Sequence, residues 1–457
     1  MLDVNGVMVI DMNITKQLAD FAVKTTFKDL PDEIGEHAKL CVLDWLGAAL
    51  AGCQSPVAKI ATSIIKKIGG IEESTVIGTD IKTSCINAAL TNGIIGHAVE
   101  MDDIHQEAII HPAAPVLPAA LAVAERNNLD GKDLLTAVVI GYEVEIRIGS
   151  AINPSHYQFW HTTGTCGTFG AAATAGKLLG LDEKSMVYAL GIAGTTAAGL
   201  IEVFGTMSKP LNPGRAAMDG ILAAMFAKEG LTSSTEILES EKGYLHAAAK
   251  EFKVEKIIEN LGKKFEIKNN IFKRHASCGH THGAIDAVLE IIEKYGVKAD
   301  NVSEVLVGTY PIAANTVGRN YEPKTADEAK FSLPYCVAAA LIYGKVGLEE
   351  FSSEKLADPK VRELSKKVKA YVEPEYINAR LGCAKVTIRT KRGNSYECRV
   401  DIPKGYPKKP LTKQEVQSKF RSLASLVLTE EKIRNILDVV DNLENIYIKE
   451  LTELLRV

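Results

Sequence analysis

The chain has 457 residues, 46% apolar and 24% charged, which is ample material for a large core and excludes disorder as a description of the whole. Its 53 Lys and Arg against 57 Asp and Glu leave a formal charge of −4, without the basic excess by which nucleic-acid binders neutralise phosphate. Aromatic residues are scarce at 6% while Gly reaches 36, a composition suited to helices packed through small side chains rather than to an all-β sandwich.

Eight scattered cysteines with no Cys-x-x-Cys pair read as reduced thiols rather than as a disulfide or zinc scaffold. Residues 1–13 carry Asp3 and Asp11 and no cation before Lys16, so the charged start of a secretory signal is missing and a cytoplasmic location is expected.

The first long helix is announced by Pro31, Asp32 and Glu33 and stopped by Gly52. It is apolar on most faces, which predicts a central position. Similar helices are expected over 84–100, 113–126, 133–150, 170–181, 183–204 and 216–228. The apolar run 187–205 is rich in Gly, Ala and Thr and holds Glu202, so it predicts a buried helix rather than a membrane span.

Past about residue 250 the pattern changes. A strand is expected over 302–310, and 384–390 alternates apolar with polar residues before a turn at 391–394 and a second strand over 395–400. Helices are expected over 283–294 and 326–343, and the Thr412-Lys-Gln-Glu415 spacing of a capping box opens further helices to the end. The reading is a mainly α protein. A large all-helical domain is built from both chain ends, 1–267 and 408–457, with a smaller α+β lid domain, 268–407, inserted between them.

Four segments concentrate chemistry. Residues 96–112 gather Glu100, Asp102, Asp103, His105 and His111, carboxylates and imidazoles of the kind that move protons near neutral pH. A helix-capping loop is the plainer alternative, and for His105 alone it is the better one. His161 precedes a Thr- and Gly-rich turn that begins at Thr162 and enters a helix, where N–H groups and hydroxyls can converge on an anion; close helix packing explains the glycines equally well. Lys209 and Arg215 stand in a Pro- and Gly-bounded loop able to hold a carboxylate. Lys273, His275, Cys278, His280 and His282 cluster where the lid begins, but their spacing fits no standard zinc motif, and no metal or cofactor is expected.

Taken together and in order, Leu43-Asp-Trp-Leu-Gly-Ala-Ala-Leu-Ala-Gly52, His97-Ala-Val-Glu-Met-Asp-Asp103, His111-Pro, Gly141-Tyr-Glu-Val144, His161-Thr-Thr-Gly-Thr, Lys209-Pro-Leu-Asn-Pro-Gly-Arg-Ala, Lys273 with Cys278 and Thr281-His282, and Ala329-Lys-Phe-Ser-Leu-Pro-Tyr335 resemble the MmgE/PrpD family. The resemblance implies a helical domain and an α+β lid with the site in the cleft between them, a homodimer, and a cofactor-independent lyase acting on a small polycarboxylate. Dehydration of 2-methylcitrate or a close relative leads. Epimerisation of the iminodisuccinate kind, decarboxylation of the cis-aconitate kind and an inactive scaffold of the same fold are the alternatives.

By matching positions, the resemblance implies Asp103, His111, His161, Lys209 and Lys273 as catalytic, with His111 and His161 as the proton-transfer pair, the lysines clamping carboxylates and Asp103 orienting a histidine. Glu100, Asp102, Thr162, Arg215, Cys278 and His282 are expected to contact substrate. The chain departs from the decarboxylating branch at Glu100, Ile104, Cys278 and Val317. No nucleic-acid or membrane partner is expected.

Overall fold

A computed structural model describes residues 13–379 and 382–457, so nearly all of 1–13 lies outside the described residues. The chain divides into two compact units. One holds the residues up to Ala98, then Asp102–Asn270 and Lys413–Val457; the other holds Val99–Met101 and Ile271–Thr412.

The first unit is helical: α1 (Ile14–Lys24), α2 (Asp32–Gly52), α3 (Pro56–Ile68), α4 (Cys85–His97), α5 (Ala113–Asn127), α6 (Gly131–Ile152), α7 (Thr162–Leu178), α8 (Glu183–Thr196) and α9 (Leu211–Lys228), joined by Lys413–Ala424, Glu430–Asp441 and Ile448–Leu454. Side-chain oxygens start several of them. Asp130 accepts from the Lys132 and Asp133 N–H groups at the head of α6, and Asp182 accepts from Ser185 at the head of α8, each satisfying donors the helix itself leaves open.

The centre is held by small residues. On α7 every residue from Thr162 to Gly176 is buried, and α6 and α9 flank it. Where α4 crosses α9, a Cβ on Gly93 would lie 2.6 Å from the Gly214 Cα, and one on Gly214 would lie 2.5 Å from the Leu90 carbonyl oxygen. A methyl group at either place would force the backbones apart.

The second unit carries a four-stranded sheet. Val302–Thr309 is central. It runs parallel to Val368–Val372 on one side and antiparallel to Ala384–Thr390 on the other, and Ser395–Val400 completes the sheet. The helix His282–Tyr295 packs against the hairpin and against the helix Leu333–Tyr343. Val368–Val372 escapes sequence reading because it is an edge strand, exposed over most of its length, with Lys369 in a short run.

Several predicted helices have other ends. The one expected over 84–100 stops at His97, and Glu100 beyond it adopts a left-handed φ of 59°. Helix α7 begins at Thr162, so the expected Thr/Gly turn is its first turn. Helix α8 stops at Thr196. Helix α9 begins at Leu211 because Pro213 fits an opening turn, where the N–H it lacks has no partner to lose. The helix expected over 326–343 breaks at Ser332, whose hydroxyl accepts from the Tyr335 N–H at 3.1 Å. Among the described residues no single helix is long and apolar enough to cross a membrane.

Candidate active site

In the first unit the end of α4 rests on α2 so closely that a Cβ on Gly96 would lie 2.3 Å from the Trp45 Nε1. This seat fixes the next residue, His97, whose side chain is fully buried. Its Nδ1 lies 2.6 Å from Asp102 Oδ2. The same oxygen lies 3.2 Å from the Nδ1 of His111. The His111 ring meets His97 edge-on with centroids 4.7 Å apart, and the His161 ring centre lies 5.7 Å from that of His97.

Each ring is held by its element. The His111 N–H donates to Thr163 Oγ1 at 3.1 Å, tying the loop to α7. The backbone N–H of His161 donates to the Gly199 carbonyl at 2.9 Å, and the Asn212 amide nitrogen on α9 lies 3.1 Å from His161 Nδ1. Phe204 packs edge-on against His161 with centroids 5.0 Å apart, and the buried Lys209 ammonium lies 5.3 Å from the Phe204 ring centre.

Burial pushes the Asp102 carboxyl up, but the His97 and His111 imidazoles outweigh it and hold it well below the usual carboxylate range. An ionised carboxylate between two imidazoles is an acid–base assembly already charged. Asp103 behaves differently. It accepts from the Ala113 N–H at 3.0 Å, from the Tyr142 hydroxyl at 2.8 Å and from the Asn270 amide. Burial, with Asp44 and Asp102 adding to it, raises this carboxyl to about 7. Asp103 therefore anchors the loop to α5 and α6, and the carboxylate that faces the histidines is Asp102, a correction to the role expected for Asp103.

Two further expectations change. Arg215 lies inside α9 and is half exposed, with its guanidinium on Asp219 at 2.9 Å and on the Thr196 carbonyl, so it is a surface pair rather than a clamp for substrate. The Thr162 hydroxyl accepts from Asn153 at 3.2 Å and braces the loop before α7. His105, pushed down to about 4 by burial, accepts from the Ala108 N–H within its own loop, as the plainer reading has it.

In the second unit Lys273 is buried, and its ammonium donates to the Glu100 carbonyl at 2.9 Å and to Glu100 Oε2 at 3.1 Å. Cys278 is half buried, with its N–H on the Lys330 carbonyl. His282 lies 3.2 Å from the Ser277 carbonyl through Nε2, and burial holds it well below its ordinary value. It is a neutral tie between two turns rather than a ligand contact. His275 and Arg274 share Asp286 at 3.0 and 2.9 Å.

One nitrogen or oxygen each from His97, Asp102 and His111 lie within 4.8 Å of one another, a span that suits a metal ion. The 2.6 Å His97–Asp102 contact is nevertheless shorter than the roughly 3 Å that separates neighbouring ligand atoms around an ion held at about 2 Å. It is the spacing of a charge-assisted hydrogen bond.

Sequence reasoning passed over His97 and Asn212. His97 closes a helix read as a packing element, Asn212 falls in a segment read as a loop although helix α9 already begins at Leu211, and the five-residue step from His97 to Asp102 matches no helical or strand period. The usable signal was a lone imidazole closing an otherwise apolar helix just before an acidic pair.

Comparison with known proteins identifies two family domains along the chain. Residues 16–257 match the MmgE/PrpD N-terminal domain and residues 275–445 the MmgE/PrpD C-terminal domain. A cis-aconitate decarboxylase-like protein of Aspergillus oryzae is 30% identical, covering 94% of this chain and 95% of its own length. The human cis-aconitate decarboxylase is 30% identical over 91% of this chain and 89% of its own length. A mitochondrial 2-methylcitrate dehydratase of Yarrowia lipolytica is 23% identical, over 75% and 69% respectively. These relatives are lyases, and lyase is the class of activity they support. Matched by both domain profiles across most of its length, the chain belongs to the MmgE/PrpD family.

Proposed function

We propose that the protein is a lyase on a small polycarboxylate whose proton transfers are carried by side chains, and that it removes water from 2-methylcitrate or a close relative. The observation that supports this is a pair of imidazoles whose Nδ1 atoms face opposite kinds of partner. The Asp102 carboxylate lies 3.2 Å from Nδ1 of His111, which favours a proton on that nitrogen and makes Nε2 the proposed base. The Asn212 amide donates to Nδ1 of His161, which leaves the His161 Nε2–H as an acid. Elimination needs both at once, one to take a weakly acidic C–H proton and one to protonate the departing hydroxyl.

Lys209 supplies an ammonium for a substrate carboxylate and for charge developing in the transition state. Lys273 is the proposed second cation, and Cys278 a substrate contact. The working assembly is proposed to be a homodimer in the cytoplasm. Exposed Leu211 and Phe226 on one helix, α9, offer an apolar face for the second copy.

Decarboxylation is the second reading, favoured by the 30% identity to cis-aconitate decarboxylases over nearly the whole chain. Incubation with 2-methylcitrate, citrate and cis-aconitate in deuterated, chelator-treated buffer, followed by NMR, separates them. An alkene from the hydroxy acids supports dehydration. Carbon dioxide from cis-aconitate replaces it with decarboxylation, and deuterium exchange alone points to epimerisation. A folded protein inert to all three retires the lyase reading.

A further inference from the structure

His97 is the only one of the three clustered rings that the proposed reaction leaves without a task, yet it has the shortest contact in the group. Its ring centre lies 4.7 Å from that of His111 and 5.7 Å from that of His161. Its Nδ1 and that of His111 converge on a single oxygen, Asp102 Oδ2, at 2.6 and 3.2 Å. Packing alone does not require an imidazole at the end of α4, where the neighbouring buried residues Ile94 and Ile95 are apolar.

We propose that His97 is a positioning residue for His111: by donating its Nδ1–H to the shared Asp102 oxygen, it draws off part of the carboxylate's charge and sets both the orientation and the basicity of the His111 ring. This inference rests on the acid–base reading of His111. An aspartate facing one imidazole gives it the full stabilisation of its cationic form. When the stronger hydrogen bond goes to a second imidazole, the first is left more weakly basic. The direction is the same whether His97 is neutral or cationic, because either form withdraws negative charge from His111.

The groups that face this pair come from every element packed around it. They are Asp102 and Asp103 from the loop, His161 from the head of α7, and Lys209 beyond Phe204 before α9. Asp44 of α2, and Tyr142 and Glu145 of α6, stand behind Asp103. Among the contacts described, His97 is the group besides His111 that reaches the Asp102 carboxylate.

The test reads His111 directly. The full-length protein with 13C-labelled histidine is titrated without substrate, the His111 resonance being assigned by its loss in His111→Gln. His97→Phe removes the donor, and the His111 titration is expected to move up by about one pH unit. His97→Asn, whose amide nitrogen falls near the position of Nδ1, is expected to restore the wild-type value. Should the Phe variant fail to fold, His97→Ala replaces it. An unmoved or lowered titration in the donor-free variant overturns the proposal, as does an Asn variant that behaves like Phe. Because no substrate is involved, this outcome is independent of the turnover assay, whose failure with the wild-type protein would remove the lyase reading instead.

Discussion

At the scale of single residues, His111→Ala and His161→Ala should each lower kcat by about 10²- to 10⁴-fold, the usual yield of one positioned acid or base, with the thermal melt little changed. Lys209→Ala should raise KM about 10- to 100-fold through loss of one charge-assisted contact to the substrate carboxylate, and should lower kcat as well through loss of its share of transition-state stabilisation. Steady-state kinetics on the purified variants separate the two effects. Glu100→Gln is informative in the other direction. The carboxylate it removes lies 3.1 Å from the Lys273 ammonium, so if Lys273 binds substrate, KM for a tricarboxylate should fall. A raised KM would count against that role.

The residues themselves also show what could be read in advance. His111, His161 and Lys209 could be picked out in the sequence because each stands at the junction of a loop and a helix, and such junctions mark themselves with Pro, Gly and Thr. The exchange of Asp102 for Asp103 was not legible. Adjacent aspartates in an irregular loop have no period from which to tell inward from sideways. Only the donors waiting on Tyr142, Asn270 and Ala113 decide it.

At the scale of elements, helix existence followed from apolar patterning, while helix ends followed from particular capping groups and Pro positions that patterning does not see. The crossing of α4 and α9 carries a sharper expectation. Gly214→Ala should cost about 1–3 kcal/mol in chemical denaturation, since the added methyl meets the Leu90 carbonyl. It should also depress turnover, because α4 ends in His97 and α9 carries Asn212. In the second unit the element to test is the link from the start of the His282–Tyr295 helix to the 404 turn. Burial raises the Asp286 carboxyl, but His275, the Lys404 N–H and Arg274 together bring it down to about 2. A folded-state value below the ordinary one means that the ionised group stabilises this unit above about pH 4. That contribution drains away as the pH falls towards 2. Asp286→Asn should therefore lower the melting temperature at pH 7 and flatten its decline between about pH 4 and 2, as calorimetry across that range would record.

For the whole molecule, the near-neutral total of −4 says nothing of the site, where two imidazoles, His97 and His111, lie against the Asp102 anion. Turnover should survive exhaustive chelation, since the proposed chemistry rests on side chains; activity abolished by chelation and restored by one divalent ion would refute that.

The order of synthesis gives the return of the chain to its first unit a further meaning. Lys413–Ala424 lies across α2 with the Phe420 Cα where a Cβ on Gly47 would come within 3.3 Å, and Lys419 reaches buried Asp44 at 2.6 Å. Until those residues leave the ribosome, the face of α2 that they cover stays open to water, and the whole second unit is made in the interval. A nascent chain of this protein thus spends most of its translation with a central helix half clothed. Chains cut after residue 412 should accumulate as aggregates or chaperone-bound species, and supplying 413–457 as a separate peptide should return part of them to solution.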